Sequence, residues 1–230
     1  MALNDRQQKI LDLTEQRQRV TVGYLAKKLF VSEMTVRRDL VKLEQSGYLR
    51  RFHGGAVANS DYLDYPIETR MHINEKEKRD LALLAQTYIQ DGQVIFLPGS
   101  STCAFLIPLL KQYENLTVIT NSVQFLLHLS KMRIRCILTG GEYLESAKVL
   151  VGRSAEQTLR SFHTDISFLS CDGISNDGAV SVADEGTAEI VRIGFQNSKK
   201  RIILADRSKL GGAHTYHICN TSDADDILVI

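Results

Sequence analysis

No apolar run in this 230-residue chain approaches the ~20 residues that a bilayer-spanning helix needs. The opening residues, Met1-Ala2-Leu3-Asn4-Asp5-Arg6, lack the apolar core of a secretory leader. Cysteine is scarce: Cys103, Cys136, Cys171 and Cys219 are widely spaced and form no Cys-x-x-Cys pair. That spacing supports neither a disulfide framework nor a thiol zinc site, so reduced, mostly buried thiols of a cytoplasmic protein are expected. His214, His217 and Cys219 could each donate to a metal, but no fourth ligand at a fixed spacing accompanies them. Neither a metal nor a cofactor is expected. The chain also lacks internal repeats and low-complexity segments.

What remains is ordinary globular composition, 43% apolar and 24% charged, in a length that fits one large domain or two unequal ones. The net charge of +1 conceals an asymmetry. Residues 1–58 hold eleven Lys/Arg against six Asp/Glu, a net of +5, whereas the remainder holds seventeen against twenty-one, a net of −4. A basic module joined to an acidic one suggests a polyanion partner, although a solvated charged surface accounts for the charge equally well.

Within the basic module, Ile10, Leu11 and Leu13 mark an amphipathic helix over 6–17, and Leu25, Ala26 and Leu29 mark a second over 22–30. Ser32 is placed to N-cap a third helix, Glu33 to Ser46, by accepting from the N–H of Met34 or Thr35, with Gly47 at its C′ position. Val36, Leu40 and Leu43 form its apolar stripe; Thr35, Arg37, Arg38 and Lys42 lie opposite. Tyr48 to Val57 then reads as a strand, a Gly54-Gly55 turn and a second strand, a wing carrying Arg50, Arg51 and His53. Such an order suits DNA: a helix fits the major groove, short side chains near its start reach base edges, and arginines bind guanine or phosphate. Periodicity and charge alone allow a small helical bundle with a basic face just as readily.

A polar segment, 59–73, contains Pro66 and reads as an irregular linker between domains 1–58 and 74–230. Asn74 to Glu77 resembles a capping box, opening a helix with Leu81, Leu84, Ala85 and Ile89 inward. Strands are expected at 94–97, 117–120, 135–138, 166–170, 201–205 and 227–230, with helices near 103–112, 123–131, 154–162 and 185–198. This alternation predicts an α/β domain with a mostly parallel sheet covered on both faces, whose ligands bind beyond the strands' carboxyl ends. Polar clusters sit at those ends: Pro98 to Thr102, Thr120 to Ser122, Thr139 to Gly141, Cys171 to Gly173 and Asp206 to Lys209. One such turn means little, because Gly and Ser favour turns; five on one edge point to a small anionic ligand. Gly99-Ser100-Ser101-Thr102, leading into a helix, reads as a phosphate cradle of hydroxyls and backbone N–H groups.

The run Val31-Ser32-Glu33-Met34-Thr35-Val36-Arg37-Arg38-Asp39-Leu40, followed by Leu43-Glu44, Gly47 and His53-Gly54-Gly55-Ala56, resembles the signature of the DeoR family of bacterial regulators. The likeness continues through Gly99-Ser100-Ser101-Thr102, Thr120-Asn121-Ser122, Thr139-Gly140-Gly141, Asp172-Gly173-Ile174 and Ser208-Lys209-Leu210-Gly211. It implies a winged helix-turn-helix joined to a sensor domain similar in fold to ribose-5-phosphate isomerase, with phosphorylated sugars as effectors. It also implies that Ser32, Glu33, Thr35, Arg37 and Arg38 read DNA. Glu33 either accepts from a cytosine amino group or favours the helix N-terminus, and Asp39 has a structural role, pairing with an arginine or capping. In the sensor, Ser100, Ser101 and Thr102 would hold the phosphate, Asn121, Gly141, Asp172 and Glu185 would meet sugar hydroxyls, and Lys209 would neutralise charge.

Two features depart from the family pattern. Many members carry an acidic residue two positions before Gly99, where this chain has Leu97, and relatives usually continue beyond the position of Ile230. The function implied is a repressor of a sugar catabolic or transport operon, acting in the cytoplasm as a homodimer or homotetramer on operator DNA, with no membrane partner and no catalytic role. The alternative is a sugar-phosphate isomerase or deaminase carrying an added DNA-binding domain, with Asp172 and Glu185 as its acid or base.

Overall fold

The structure, a computed structural model, describes residues 3–17, 19–46, 48–57, 67–145 and 147–230. The chain divides into two compact units, Met1–Arg70 and Met71–Ile230.

In the first unit, α1 (Asp5–Arg17) is followed by a short strand β1 (Arg19–Thr21), then α2 (Val22–Leu29) and α3 (Glu33–Gln45). Strands β2 (Arg50–Phe52) and β3 (Gly55–Val57) complete an antiparallel sheet in the order β1-β3-β2. The sheet thus has three strands instead of the two expected, since three residues with Val20 inward are too short to show an alternation. Thr21 caps α2 through the Tyr24 N–H, and Ser32 caps α3 by accepting from the Thr35 N–H at 3.2 Å. Ile10, Leu25, Val36, Leu40, Leu43, Leu49 and Ala56 are buried together and hold the three helices to the sheet. The turn lies at His53-Gly54, with Gly54 at φ 96°, not at Gly54-Gly55 as expected. Gly55 instead opens β3, where a Cβ would lie 2.1 Å from the Val20 carbonyl oxygen; glycine lets β1 and β3 approach. Gly47, expected at the C′ position of α3, lies outside the described residues.

Residues 59–73 do not form a purely irregular linker, because Ile67–His72 is a short helix, α4. Residues 59–66, with Pro66, lie outside the described residues.

In the second unit α5 (Glu75–Ala85) begins at Asn74, but no capping box forms. Asn74 sits in the left-handed region at φ 51°, and its amide donates to Asp206 at 3.0 Å instead of capping the helix. Leu81, Ala85 and Ile89 face inward as expected, whereas Leu84 is exposed and Ala82 is buried in its stead. Strands β4 (Val94–Phe96), β5 (Thr117–Thr120) and β6 (Arg135–Leu138) follow, with a 3-10 helix at Cys103–Gln112 and α6 (Val123–Lys131) between them. The first of these connections is not the expected α-helix: Pro108 lies inside it, removing an N–H and crowding the preceding turn. A hairpin β7 (Glu142–Leu144) and β8 (Val149–Val151) comes next, then α7 (Arg153–Arg160), β9 (Thr164–Ser170), β10 (Gly173–Ile174) and β11 (Ala179–Val182). Last come α8 (Glu185–Gln196), β12 (Ser198–Ala205), β13 (Tyr216–Asn220) and β14 (Asp226–Val229).

Six strands form one parallel sheet in the order β14-β12-β9-β4-β5-β6. Alternate residues feed opposite faces: Ile95, Leu97 and Phe168 join one core, Phe96 and Ile119 another with Ile190 and Ile193 of α8. The expected mostly parallel sheet covered on both faces is what forms. An antiparallel sheet β10-β11-β13 and the β7-β8 hairpin were not legible, being short and set between longer elements. Because the six strands are parallel, all their carboxyl ends open onto one edge.

Candidate functional site

The first unit presents the face of α3 opposite its buried stripe. Glu33, Arg37, Arg38 and Lys42 are exposed and Ser32 and Thr35 lie at the helix start, so the predicted reading residues share one helix and its cap. Glu33 lies 3.5 Å from Arg37, an exposed i,i+4 pair that moderates the charge of that arginine. Asp39, turned inward and 3% exposed, accepts from Arg6 Nε at 2.6 Å, the arginine pairing anticipated for it. Arg6 is in turn held above its ordinary pKa by this bond.

On the wing, Arg50, Arg51 and His53 are exposed. The Arg51 backbone N–H donates to Glu44 at 2.9 Å and its guanidinium lies 3.5 Å from the same carboxylate. This tethers the wing to the last turn of α3. Sequence reasoning overlooked Arg19, whose guanidinium stacks 4.1 Å above the Phe52 ring; it lies on the unforeseen β1 and adds a cation beside the wing. Phe30 and Met34, 94% and 65% exposed, were also overlooked, although large apolar side chains in a basic module are themselves a signal.

The second unit gathers polar residues along the carboxyl edge of its sheet. After β4 the chain enters Gly99, where a Cβ would lie 2.4 Å from Val149 and 2.9 Å from Ser122. The Gly99 N–H donates to Asn121 Oδ1 at 2.9 Å, and Asn121 Nδ2 donates to the Leu150 carbonyl at 3.1 Å. Asn121, 1% exposed, is thus spent on fastening the β4 loop to the β5 end and to β8, and its amide is engaged at both ends. Ser100 Oγ accepts from the Cys103 N–H at 3.0 Å, opening the 3-10 helix; Ser101 and Thr102 are buried hydroxyl residues. Gly141, at φ 110°, passes so close to β8 that a Cβ would lie 2.4 Å from the Val151 carbonyl oxygen.

Beyond β9, Asp172 accepts from the Ala183 N–H at 3.1 Å. Lys209, 5% exposed, ends a 3-10 turn at Arg207–Lys209 after β12. Burial pushes the neighbouring Cys171 thiol up to about 12; Asp172 adds to that shift and Lys209 opposes it, which places both charges around one sulfur. Asp206, 1% exposed, accepts from the Ser208 N–H and the Asn74 amide, both at 3.0 Å. Gly99–Thr102, Asn121, Gly141, Asp172 and Lys209 therefore follow the ends of β4, β5, β6, β9 and β12 on one edge. Glu185 does not: it opens α8, N-capped by Asp184, and lines a cleft of about 470 Å³ with Glu156, Glu189, Arg192 and Tyr216.

Leu97 is 1% exposed in the core, its N–H bonded to the Ile119 carbonyl at 2.9 Å, so this position packs the sheet and offers no ligand group. Among the described residues, no group of three or more His, Cys, Asp or Glu side chains comes together as a metal site, His214, His217 and Cys219 included. Also among them, no helix is long and apolar enough to cross a membrane. A hydroxyl-lined loop at a helix start, a carboxylate and a buried lysine on one edge suit a small hydroxylated anion.

Comparison with known proteins matches residues 6–62 to a DeoR-like helix-turn-helix domain and residues 73–229 to the DeoR C terminal sensor domain. The L-fucose operon activator of Haemophilus influenzae is 33% identical over 98% of this chain and 91% of its own. The HTH-type transcriptional repressor GlcR of Bacillus subtilis is 34% identical over 94% of this chain and 84% of its own. A solved ribose 5-phosphate isomerase of Methanocaldococcus jannaschii matches 60% of this chain and 55% of its own at a TM-score of 0.45 and 22% identity, a likeness of fold alone.

Proposed function

The chain belongs to the DeoR family of helix-turn-helix transcriptional regulators, and on that premise we propose that it represses a sugar catabolic or transport operon until a phosphorylated sugar binds its sensor domain. The observation that carries this reading is the set of polar strand ends on one edge of the parallel sheet, with a glycine-hydroxyl loop entering a helix there. In this reading the phosphate rests beside Gly99, which has no side chain to obstruct it, on the backbone of Ser100 to Thr102, with the hydroxyls of Ser101 and Thr102 facing it. Asp172 accepts from a sugar hydroxyl and Lys209 offsets the ligand's charge. Asn121 and Gly141 shape the edge by holding the β4 and β6 loops against β8. Glu185 meets the far end of the ligand only if the sugar extends toward the start of α8.

The DNA-reading surface comprises Ser32, Glu33, Thr35, Arg37, Arg38 and Lys42, with Arg50, Arg51 and His53 of the wing on the phosphates or the minor groove. A homodimer or homotetramer places two such units on half-sites about one or two helical turns apart. Effector binding favours one arrangement of the sensors, and linkage transmits that preference to the operator with a coupling of about 1–3 kcal/mol. No catalytic step is assigned: the sensor edge binds and the protein acts on DNA in the cytoplasm.

The test is a thermal-shift panel of sugar phosphates against their unphosphorylated parents. At a hundredfold excess over its dissociation constant the effector raises stability by about 2.7 kcal/mol. A response confined to one phosphorylated sugar supports the reading. A shift by unphosphorylated sugars alone would remove the phosphate cradle from it.

A further inference from the structure

Two large apolar side chains stand out of the basic unit with no core to join. Phe30 is 94% exposed and Met34 65% exposed, and they bracket Ser32, the N-cap of α3. Phe30 is held at φ 55°, ψ 43°, the left-handed region that a bulky aromatic residue rarely occupies. That conformation closes α2, because the Phe30 and Val31 N–H groups both donate to the Ala26 carbonyl. Capping accounts for the backbone; it does not account for a large apolar side chain left in solvent there. Met34 shares its helix face with Arg38 at i+4, while Val36, Asp39, Leu40 and Leu43 are buried on the other side. It lies in the first turn of α3 on the outward face, on which the exposed cations Arg37, Arg38 and Lys42 follow it.

We propose that Met34 and Phe30 form the apolar part of the base-reading surface and take the C5-methyl groups of thymine in the operator's major groove. The inference rests on the DNA-reading role assigned above to α3. The occupant follows from the surroundings. Flanking arginines and a lysine complement a polyanion and would repel a basic partner. The first turn of the reading helix is the part that enters the groove, and the thymine methyl is the apolar feature that bases present there. The backbone of Phe30 fixes the side chain outward before DNA arrives, so little ordering is needed on contact.

The test uses the full chain and a duplex enriched by the protein itself from a random-sequence pool. Each thymine of that duplex is replaced in turn by deoxyuridine, which removes the methyl group and leaves the pairing intact. Wild type should lose about fourfold in affinity at one or two positions per half-site, the worth of a buried methyl group. Met34→Ala should bind the thymine duplex correspondingly less tightly and no longer distinguish uracil at its position, and Met34→Leu should restore the distinction. Phe30→Asn should behave likewise at its own position without lowering the thermal midpoint, because asparagine tolerates the left-handed region. The two residues stand or fall separately. Wild type indifferent to every replacement, or a variant as sensitive as wild type at every thymine, overturns the assignment. Enrichment of no duplex at all instead overturns the DNA-reading role on which it rests.

Discussion

Arg6 and Asp39 join α1 of the basic unit to the buried side of α3, with Arg6 Nε donating to Asp39 Oδ2 at 2.6 Å and Nη2 to Oδ1 at 3.3 Å. Asp39 is buried, so removing its partner leaves a desolvated carboxylate with the Gln7 amide, at 3.5 Å, as its remaining partner among the described residues. Arg6→Ala is expected to destabilise the unit by about 1–3 kcal/mol. Well below the melting midpoint the variant should still bind DNA, because Arg6 holds α3 in place and does not read. Chemical denaturation followed by a binding titration checks both halves. An Arg6→Ala protein of unchanged stability contradicts the structural role.

The arginines proposed to contact DNA should give the opposite pattern. Arg38 is exposed on the outward face of α3, so Arg38→Ala should leave stability within about 0.5 kcal/mol. It should weaken binding to a selected duplex by about 1–3 kcal/mol and relax preference at one base position. Arg51, tethered to Glu44 on the wing, is expected on a phosphate. Arg51→Ala should weaken binding to all duplexes similarly and reduce the salt slope by about 1. Equal effects of the two variants on base preference would contradict the division between helix and wing.

Much of this architecture is legible in the order of residues alone, and the failures have physical causes. The three helices, the Ser32 cap and the parallel strands declare themselves by periodicity, and Asp39 stands out as a charge within an apolar stripe. Strand β1 escapes because three residues carry no period. The 3-10 helix at Cys103–Gln112 escapes because its apolar pattern is helical and Pro108 alone opposes the α form. Asn74 resembles a cap by spacing, yet its partner Asp206 lies 132 residues away, a contact that local rules do not register. Asn121 is expected at the ligand by family resemblance; its bonds to Gly99 and Leu150 are tertiary and are not legible in sequence.

On the proposed reading, those bonds make Asn121 a positioning residue for the sensor edge. Asn121→Ala would strand the Gly99 N–H and the Leu150 carbonyl, and a loss of about 2–4 kcal/mol in stability is expected. Effector affinity should fall with it, because the β4 loop is no longer fastened. Gly99→Ala should do the same by steric conflict with Val149 and Ser122. Denaturation and effector titration of both variants provide the check; a stable Asn121→Ala that loses only effector binding would make it a direct ligand contact.

Acid should weaken the sensor unit through named carboxylates. Lys199, at 2.8 Å, and the Val94 N–H, at 2.9 Å, hold Asp165 below its ordinary pKa, and Tyr88 does the same for Asp226 on the edge strand β14. A carboxylate whose pKa is lowered by folding adds stability above its unfolded value, about 3.9, and that stability is lost as pH falls through the folded value. Tyr88 has the opposite sign: its raised pKa adds stability below its unfolded value, about 10, which is lost in alkali. Melting midpoints of wild type and Asp165→Asn should therefore differ at neutral pH and converge below pH ~4. A difference that persists unchanged into acid would contradict this linkage.

The most direct test of the central claim is the anisotropy of a labelled, protein-selected duplex titrated with sugar phosphates, for wild type and for Ser101→Ala/Thr102→Ala. One phosphorylated sugar should release the duplex from wild type while its unphosphorylated parent does not. The double variant should bind the duplex normally and ignore that sugar phosphate. A duplex that no phosphorylated sugar releases, or a double variant that responds like wild type, would contradict the account.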